Sequence, residues 1–394
     1  MGDRDPVIIG GARTGIGRLL GSLAGFSAAE LGGFAIKGAL DRGGVRPDQV
    51  EYVIMGHVLQ AGTGQITARQ AAVKAGIPMS VPATVVNKVC LSGLDAIAQA
   101  ADLIRLGEFD VIVAGGMESM TNAPHMVQAR TGIRYGDGKL VDHMAWDGLT
   151  NPYDGKSMGV FGELCADKYH FTREEQDAFA IESVKRSQAA QQSGAFADEI
   201  AAVTVAGRKG DVTVDTDEQP GRSDIAKIPS LKPAFRKENG TITAASSSSI
   251  SDGAAAVVLL SADDAKARGL QPLARIVAHA THSQEPEWFT TAPVGAIQKV
   301  LDKAGWKAAD VDLFEINEAF AVVAMTPIKE LGIPHEKVNV NGGACALGHP
   351  IGASGARLVV TLLNALKTRG LKRGVASLCI GGGEATAIAV ERLD

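Results

Sequence analysis

A helix–turn–strand pattern occurs twice in this chain, 261 residues apart. Residues 35–44 align without a gap with residues 296–305, and the match runs on through Val50 and Val311 to Glu51 and Asp312. Six of these 17 positions are identical, and basic residues replace each other at Arg42 and Lys303. A solenoid repeats every ~20–50 residues, so a single distant recurrence indicates two copies of one fold.

Short apolar runs at 7–9, 52–55, 111–113, 255–260, 313–316 and 375–379 read as strands, with helical patterns between them. One helix is framed by a capping box, Ser27 with Glu30, and stops near Gly43-Gly44. Another runs from about residue 91 to 106, with Leu94, Ile97, Ala101 and Ile104 on one stripe and Gly107 as its stop. This alternation predicts an α/β fold, a sheet covered by helical layers. The first copy is assigned to residues 1–120 plus 248–270 and the second to 271–394. Residues 121–247 read as an inserted, loop-rich subdomain.

The charge balance, 39 basic against 44 acidic residues, argues against a nucleic-acid binder. Low aromatic content and 47 glycines suit close helix–strand packing. The cysteines at 90, 165, 345 and 379 show no Cys-x-x-Cys spacing, so neither a metal site nor a disulfide framework is expected. The charged start and Pro6 fit neither a signal peptide nor a myristoylation site, and residues 391–394 are not a peroxisomal address. No apolar run reaches membrane-spanning length. Free thiols and these termini lead to the expectation of a cytoplasmic protein with no membrane or nucleic-acid partner.

Three segments carry chemistry. Cys90 lies where a strand runs into a helix, and the positive end of a helix favours thiolate. Residues 341–355 form a glycine-dense loop in which Pro350 fixes the chain beside His349, a candidate general base, and a helix starts near Ser354. Cys379 ends a strand and precedes Gly381-Gly382-Gly383, where the edge of an open α/β sheet holds ligands and backbone N–H groups could meet an oxyanion. Each residue taken alone also fits ordinary packing. Together they form a Cys–His–Cys set on equivalent edges of the two copies.

From about residue 6 to 392 the chain resembles the thiolase family. Four ordered blocks carry the resemblance: Asn87-Lys88-Val89-Cys90 with Ser92-Gly93, Asn317-Glu318-Ala319-Phe320-Ala321, the glycine-rich block 342–355, and Cys379-Ile380-Gly381-Gly382-Gly383. The resemblance implies duplicated αβα halves in a five-layered αβαβα core. It also implies reversible Claisen condensation of two acetyl-CoA molecules to acetoacetyl-CoA and CoA through an S-acyl-cysteine. His349 would take the proton of Cys90, and Cys379 would remove an α-proton from the second acyl-CoA. Asn317 would orient a water at the enolate oxygen, and the N–H groups of Cys90 and Gly381 would hold the oxyanion. Ser248 and Arg222 are implied contacts for CoA, with Met158, Leu149, Ala319 and Phe320 around a short acyl pocket. No cofactor or metal is implied, CoA being substrate and product; a dimer or a tetramer of dimers is.

Several positions depart from the family pattern. Residues 244–250 carry a serine run where Gly, Asn and Gly are usual; Ser157 replaces a histidine of many biosynthetic members; Glu384 replaces Met and Gly15 replaces Pro. Acyl-chain preference stays open on these grounds, with a degradative 3-ketoacyl-CoA thiolase of broader range as the alternative. Related condensing enzymes place His or Asn where Cys379 stands. Two other classes remain: a non-catalytic acyl-CoA or lipid binder, and an NAD-dependent dehydrogenase. The latter rests on Gly10–Gly17 as a nucleotide loop and on the Tyr135/Lys139 pair.

Overall fold

The computed structural model describes residues 2–207 and 210–393. In chain order the first half contributes β1 (Pro6–Arg13), α1 (Ala28–Gly43), β2 (Tyr52–Gly56), α2 (Thr67–Lys74), β3 (Ala83–Val86), α3 (Ser92–Leu106) and β4 (Val111–Ser119). The insertion carries α4 (Met158–Tyr169) and α5 (Arg173–Gln192), and β5 (Ser251–Ser261) returns to the first half. The second half holds β6 (Ala274–Ser283), α6 (Ala292–Ala304), β7 (Leu313–Ile316), α7 (Ala321–Leu331), α8 (Ser354–Arg369), β8 (Arg373–Ile380) and β9 (Glu384–Arg392).

Among the described residues the long strands form one continuous path, β7-β8-β9-β6-β1-β5-β4-β2-β3. Its centre is the antiparallel pairing of β1 with β6 at Val7↔Arg275 and Ile8↔Ala274. Moving outward, each half repeats one order: two antiparallel neighbours, then parallel ones. A parallel bridge from Phe314 to Val338 stands where β3 stands in the first half. The duplication seen in the sequence is therefore a duplication of topology.

The layers follow from strand alternation. Along β1, Val7 and Ile9 pack with Leu31, Ile36 and Leu40 of α1, whereas Ile8 faces the opposite side. There it meets the predicted stripe Leu94, Ile97, Ala101 and Ile104 of α3, together with Leu358 and Leu362 of α8. The same central cluster takes in Ile112 of β4 and Leu378 of β8, so α3 and α8 lie between the two half-sheets. Ile297 and Val300 of α6 cover the far side of the second half. The order is helix, sheet, helix, sheet, helix, as the resemblance implies. The repeated segments end their helices alike, with Gly44 at φ 64° and Gly305 at φ 68°, each followed by a 3₁₀ turn and a strand. A left-handed cap favours glycine, which accounts for that identity.

Two sequence expectations change. The insertion is not simply loop-rich: α4 and α5 give it a helical body. It docks through Glu199 and Asp217 on Arg13, a fully buried side chain at 2.6 Å from each carboxylate. Removing one partner of such a buried pair costs roughly 3–5 kcal/mol. The dehydrogenase reading fails on geometry. Residues 6–13 are one strand and the next helix begins only at Ala28, so no helix N-terminus stands over that loop to bind pyrophosphate. Tyr135 is fully exposed in a non-helical segment.

Candidate active site

Cys90 sits in a turn between β3 and α3, where Val89 holds φ at 46°. A β-branched residue in the left-handed region costs about 1–3 kcal/mol and persists only where its surroundings impose it. Here they do. The Asn87 side-chain oxygen accepts the Val89 N–H at 3.1 Å, and Ser92 Oγ accepts the Lys88 N–H at 2.8 Å while donating to the Val89 carbonyl at 2.6 Å. The motif residues Asn87 and Ser92 thus serve to project the intervening cysteine.

The turn that bears His349 meets the Cys90 turn because α3 and α8 cross backbone to backbone. A Cβ on Gly93 would come within 2.9 Å of Ala356 N and the Gly352 oxygen, and one on Gly355 within 2.4 Å of Leu94 N. His349 precedes α8 and is buried. Its Nδ1 lies 2.6 Å from Ser354 Oγ, whose own proton goes to the Pro350 carbonyl at 2.9 Å. Ser354 must therefore accept, so the ring proton sits on Nδ1 and Nε2 carries the free lone pair. Asn317 Nδ2 approaches that Nε2 at 3.4 Å, while Asn317 Oδ1 is buried with no hydrogen-bond partner among the described residues. Burial, aided by the Arg357 charge, brings His349 down to about 3, so the resting imidazole is neutral.

Burial works against the helix end at Cys90: it pushes the thiol up to about 12, with Glu118 adding to the rise. Cys379, at the end of β8, is also driven well above the ordinary thiol range by burial, and charge on Cys90 would raise it further. Burial disfavours the resting thiolate at both sulfurs. Nucleophile activation must come from proton transfer during the reaction, for which neutral His349 is placed.

Cys90, His349 and Cys379 line one cavity of about 410 Å³. Leu149, Met158, Ser248, Ala319, Phe320 and Gly381 line it too, so ten of the eleven anticipated residues converge here once Asn317, bonded to His349, is included. Arg222 does not line it; it is the exposed last residue of a 3₁₀ turn, Pro220–Arg222. Met158 packs directly on Gly381, where a Cβ would lie 2.1 Å from its sulfur. Ser248 Oγ donates to the Ala319 carbonyl at 3.0 Å, leaving its lone pairs to accept from a ligand N–H.

Sequence reading missed Phe235 and Phe289, which wall the cavity from distant segments with no local signal. It also missed Glu118, fully buried, which accepts N–H groups from Val58, Leu59 and Gly352 and so ties the loop after β2 to the segment that carries His349. Its carboxyl is raised to about 8 by burial. Two of the departures find partners. Glu384 pairs with Lys88 at 3.4 Å. Within the serine run, Ser247 donates to the Thr243 carbonyl and Ser246 Oγ accepts the Thr243 N–H. Ser157 caps α4 without a side-chain bond and lines the cavity. Among the described residues no group of three or more His, Cys, Asp or Glu side chains is placed to hold a metal ion.

Residues 6–263 match the model of the thiolase N-terminal domain, and residues 270–392 that of the thiolase C-terminal domain. Acetyl-CoA acetyltransferase 2 of Arabidopsis thaliana is 52% identical over 393 residues, covering 99% of this chain and 98% of that protein. The acetyl-CoA acetyltransferase of Cupriavidus necator is 51% identical, covering 98% of this chain and 99% of its own length. That of Rhizobium meliloti is 50% identical with both chains fully covered.

Proposed function

The chain belongs to the thiolase family, and from that premise we propose that it is an acetyl-CoA C-acetyltransferase, interconverting two acetyl-CoA with acetoacetyl-CoA and CoA. The observation that carries the chemistry is the convergence of two thiols and a neutral imidazole on one cavity. In the first half-reaction His349 Nε2 takes the Cys90 proton, the sulfur attacks the thioester carbonyl, and the departing CoA thiolate takes the proton of Cys379. Cys90 is then acylated, with imidazolium and the Cys379 thiolate left as a compensating pair. In the second, that thiolate removes an α-proton from the next acetyl-CoA, and imidazolium with an Asn317-held water faces the enolate oxygen. The carbanion attacks the acyl group and His349 returns its proton to the released Cys90. The N–H groups of Cys90 and Gly381 are the proposed oxyanion donors, a role worth about 2.7–4 kcal/mol per donor. Ser248 would accept from a pantetheine amide, and Arg222 would meet the nucleotide end from the surface.

The cavity must hold the pantetheine arm as well as the acyl group, and Met158 and Phe320 narrow it. This supports a short acyl chain over the degradative reading. Thiolysis of 3-ketoacyl-CoAs from four to sixteen carbons is therefore expected to be fastest at four and at least about tenfold slower beyond six. A flat profile, or a maximum at long chains, would favour the degradative enzyme.

A homo-oligomer is part of the same proposal. The outer edge of β3 ends the sheet, and Ile66 and Met79 near it are 50% and 64% exposed. An unpaired edge beside apolar side chains suits pairing with a second copy. Light scattering should give the mass of two or four protomers; a monomer at micromolar concentration would refute this. A cytoplasmic setting accords with four unpaired cysteines, and no helix among the described residues is long and apolar enough to cross a membrane. Fractionation checks the setting.

A further inference from the structure

His349 is held between two elements. On one side Ser354, the first residue of α8, binds Nδ1; on the other Asn317, the residue after β7, reaches Nε2. One turn along α8 lies Arg357, and two residues back along β7 lies Glu315, hence on the same strand face as Asn317. Arg357 Nη1 and Glu315 Oε2 are 3.3 Å apart, and both side chains are buried to within 3% of complete. The two elements that grip the imidazole are thus tied a second time, by a buried ion pair one helical turn from Ser354 and two residues from Asn317.

That pair is poorly satisfied. Arg357 Nε and Nη2 and Glu315 Oε1 are buried with no hydrogen-bond partner among the described residues. Stability alone does not account for such an arrangement, because well-packed apolar residues commonly replace a buried pair at no loss. Arg357 also belongs to a polar stripe along α8. Thr361 and Asn364, on the same face as Ser354 and Arg357, both bind Glu199, which Arg13 holds against the insertion.

We propose that Arg357 and Glu315 are positioning residues for His349, the pair fixing the ring between α8 and the end of β7 and placing a positive charge near it. The inference rests on the reading of His349 as the base. Arg357 is the charged group that lowers His349. The groups facing Arg357 are Glu315 and Glu318 from the β7 segment, Glu199 from the insertion and Arg13 from β1. On the cavity side the titratable groups facing the ring are Cys90 and Cys379.

The test is the pH dependence of CoA release from acetyl-CoA in the full-length enzyme. Arg357→Met alone leaves a buried carboxylate unpaired and endangers folding, so the informative variant is Glu315→Gln/Arg357→Met. It should keep the wild-type melting temperature within a few degrees and KM within about twofold. Its kcat should fall by about 10–100-fold, the scale of a misplaced catalytic group. With the charge removed, His349 protonates more readily, so the acid limb of kcat/KM should move to higher pH. Arg357→Lys, which keeps the charge, should return the limb to its wild-type place. A double variant with kcat within twofold of wild type and an unmoved limb would overturn the proposal. So would a kcat loss matched by lost thermal stability with no limb displacement. If instead His349→Ala acylated at the wild-type rate, the reading of the base itself would fail.

Discussion

Cys90→Ala is expected to lower the rate of acetoacetyl-CoA formation by at least about 10⁴-fold, the scale on which removing a covalent nucleophile acts. Fold and CoA binding should survive. The turn is held by Asn87, Ser92 and the Lys88 backbone, none of which the substitution touches. The thiol faces a cavity and makes no hydrogen bond that anchors a neighbour, so its loss leaves little cavity strain. The raised thiol sharpens the expectation. With Cys90 near 12 and His349 near 3, thiol and imidazole are both neutral between those values. Alkylation of Cys90 by iodoacetamide in the free enzyme should accordingly be slow near neutral pH, quickening as pH rises toward the thiol's range. Fast, pH-independent alkylation at neutral pH would mean a resting thiolate and would contradict the account.

Cys379→Ala should show the opposite division of labour. The first half-reaction needs the Cys90–His349 pair, so acylation by acetyl-CoA should persist, slowed only by loss of the proton that Cys379 gives to the leaving thiolate. Condensation needs a base at the second α-carbon, and its rate should fall by about 10²–10⁴-fold, the usual contribution of a positioned acid or base. The acetyl-enzyme should therefore accumulate, releasing one CoA per site before turnover stalls. Burial raises Cys379 as it does Cys90, so its basicity is high once the proton has gone. A weak base there could not compete for a carbon acid, which is why a cysteine in an apolar wall suits the second step.

How much of this was legible depended on how local each cause was. Gly44 and Gly305 cap equivalent helices by a backbone rule acting on single residues, so the duplication could be read directly. The stripe of α3 is likewise a period in the sequence, and its four residues are all in the central layer. Helix α5 was hidden although Thr172 and Glu175 form a capping box. Its buried face includes Gln176, Asp177, Ser183 and Ser187, so an apolar period is absent. In α8, buried from Ser354 to Leu366, Arg357, Thr361 and Asn364 form a polar stripe whose partners come from β7 and the insertion, so the stripe could not be told from a solvent-facing one. In the site, Cys90, His349 and Cys379 stand out because each lies at the end of an element. The ionisation of Cys90 could not be read, because helix-end stabilisation is local whereas burial is set by the whole fold. Phe235 and Phe289 reach the cavity, and Glu118 its loop partners, through long-range packing alone.

The central claim is that one sulfur carries the acyl group while the other moves the proton. Peptide mapping by mass spectrometry of Cys379→Ala, quenched after mixing with acetyl-CoA, tests it most directly. The account predicts close to one acetyl group per chain, on Cys90, with almost no acetoacetyl-CoA formed. Acetyl on another residue, or condensation near the wild-type rate, would contradict it.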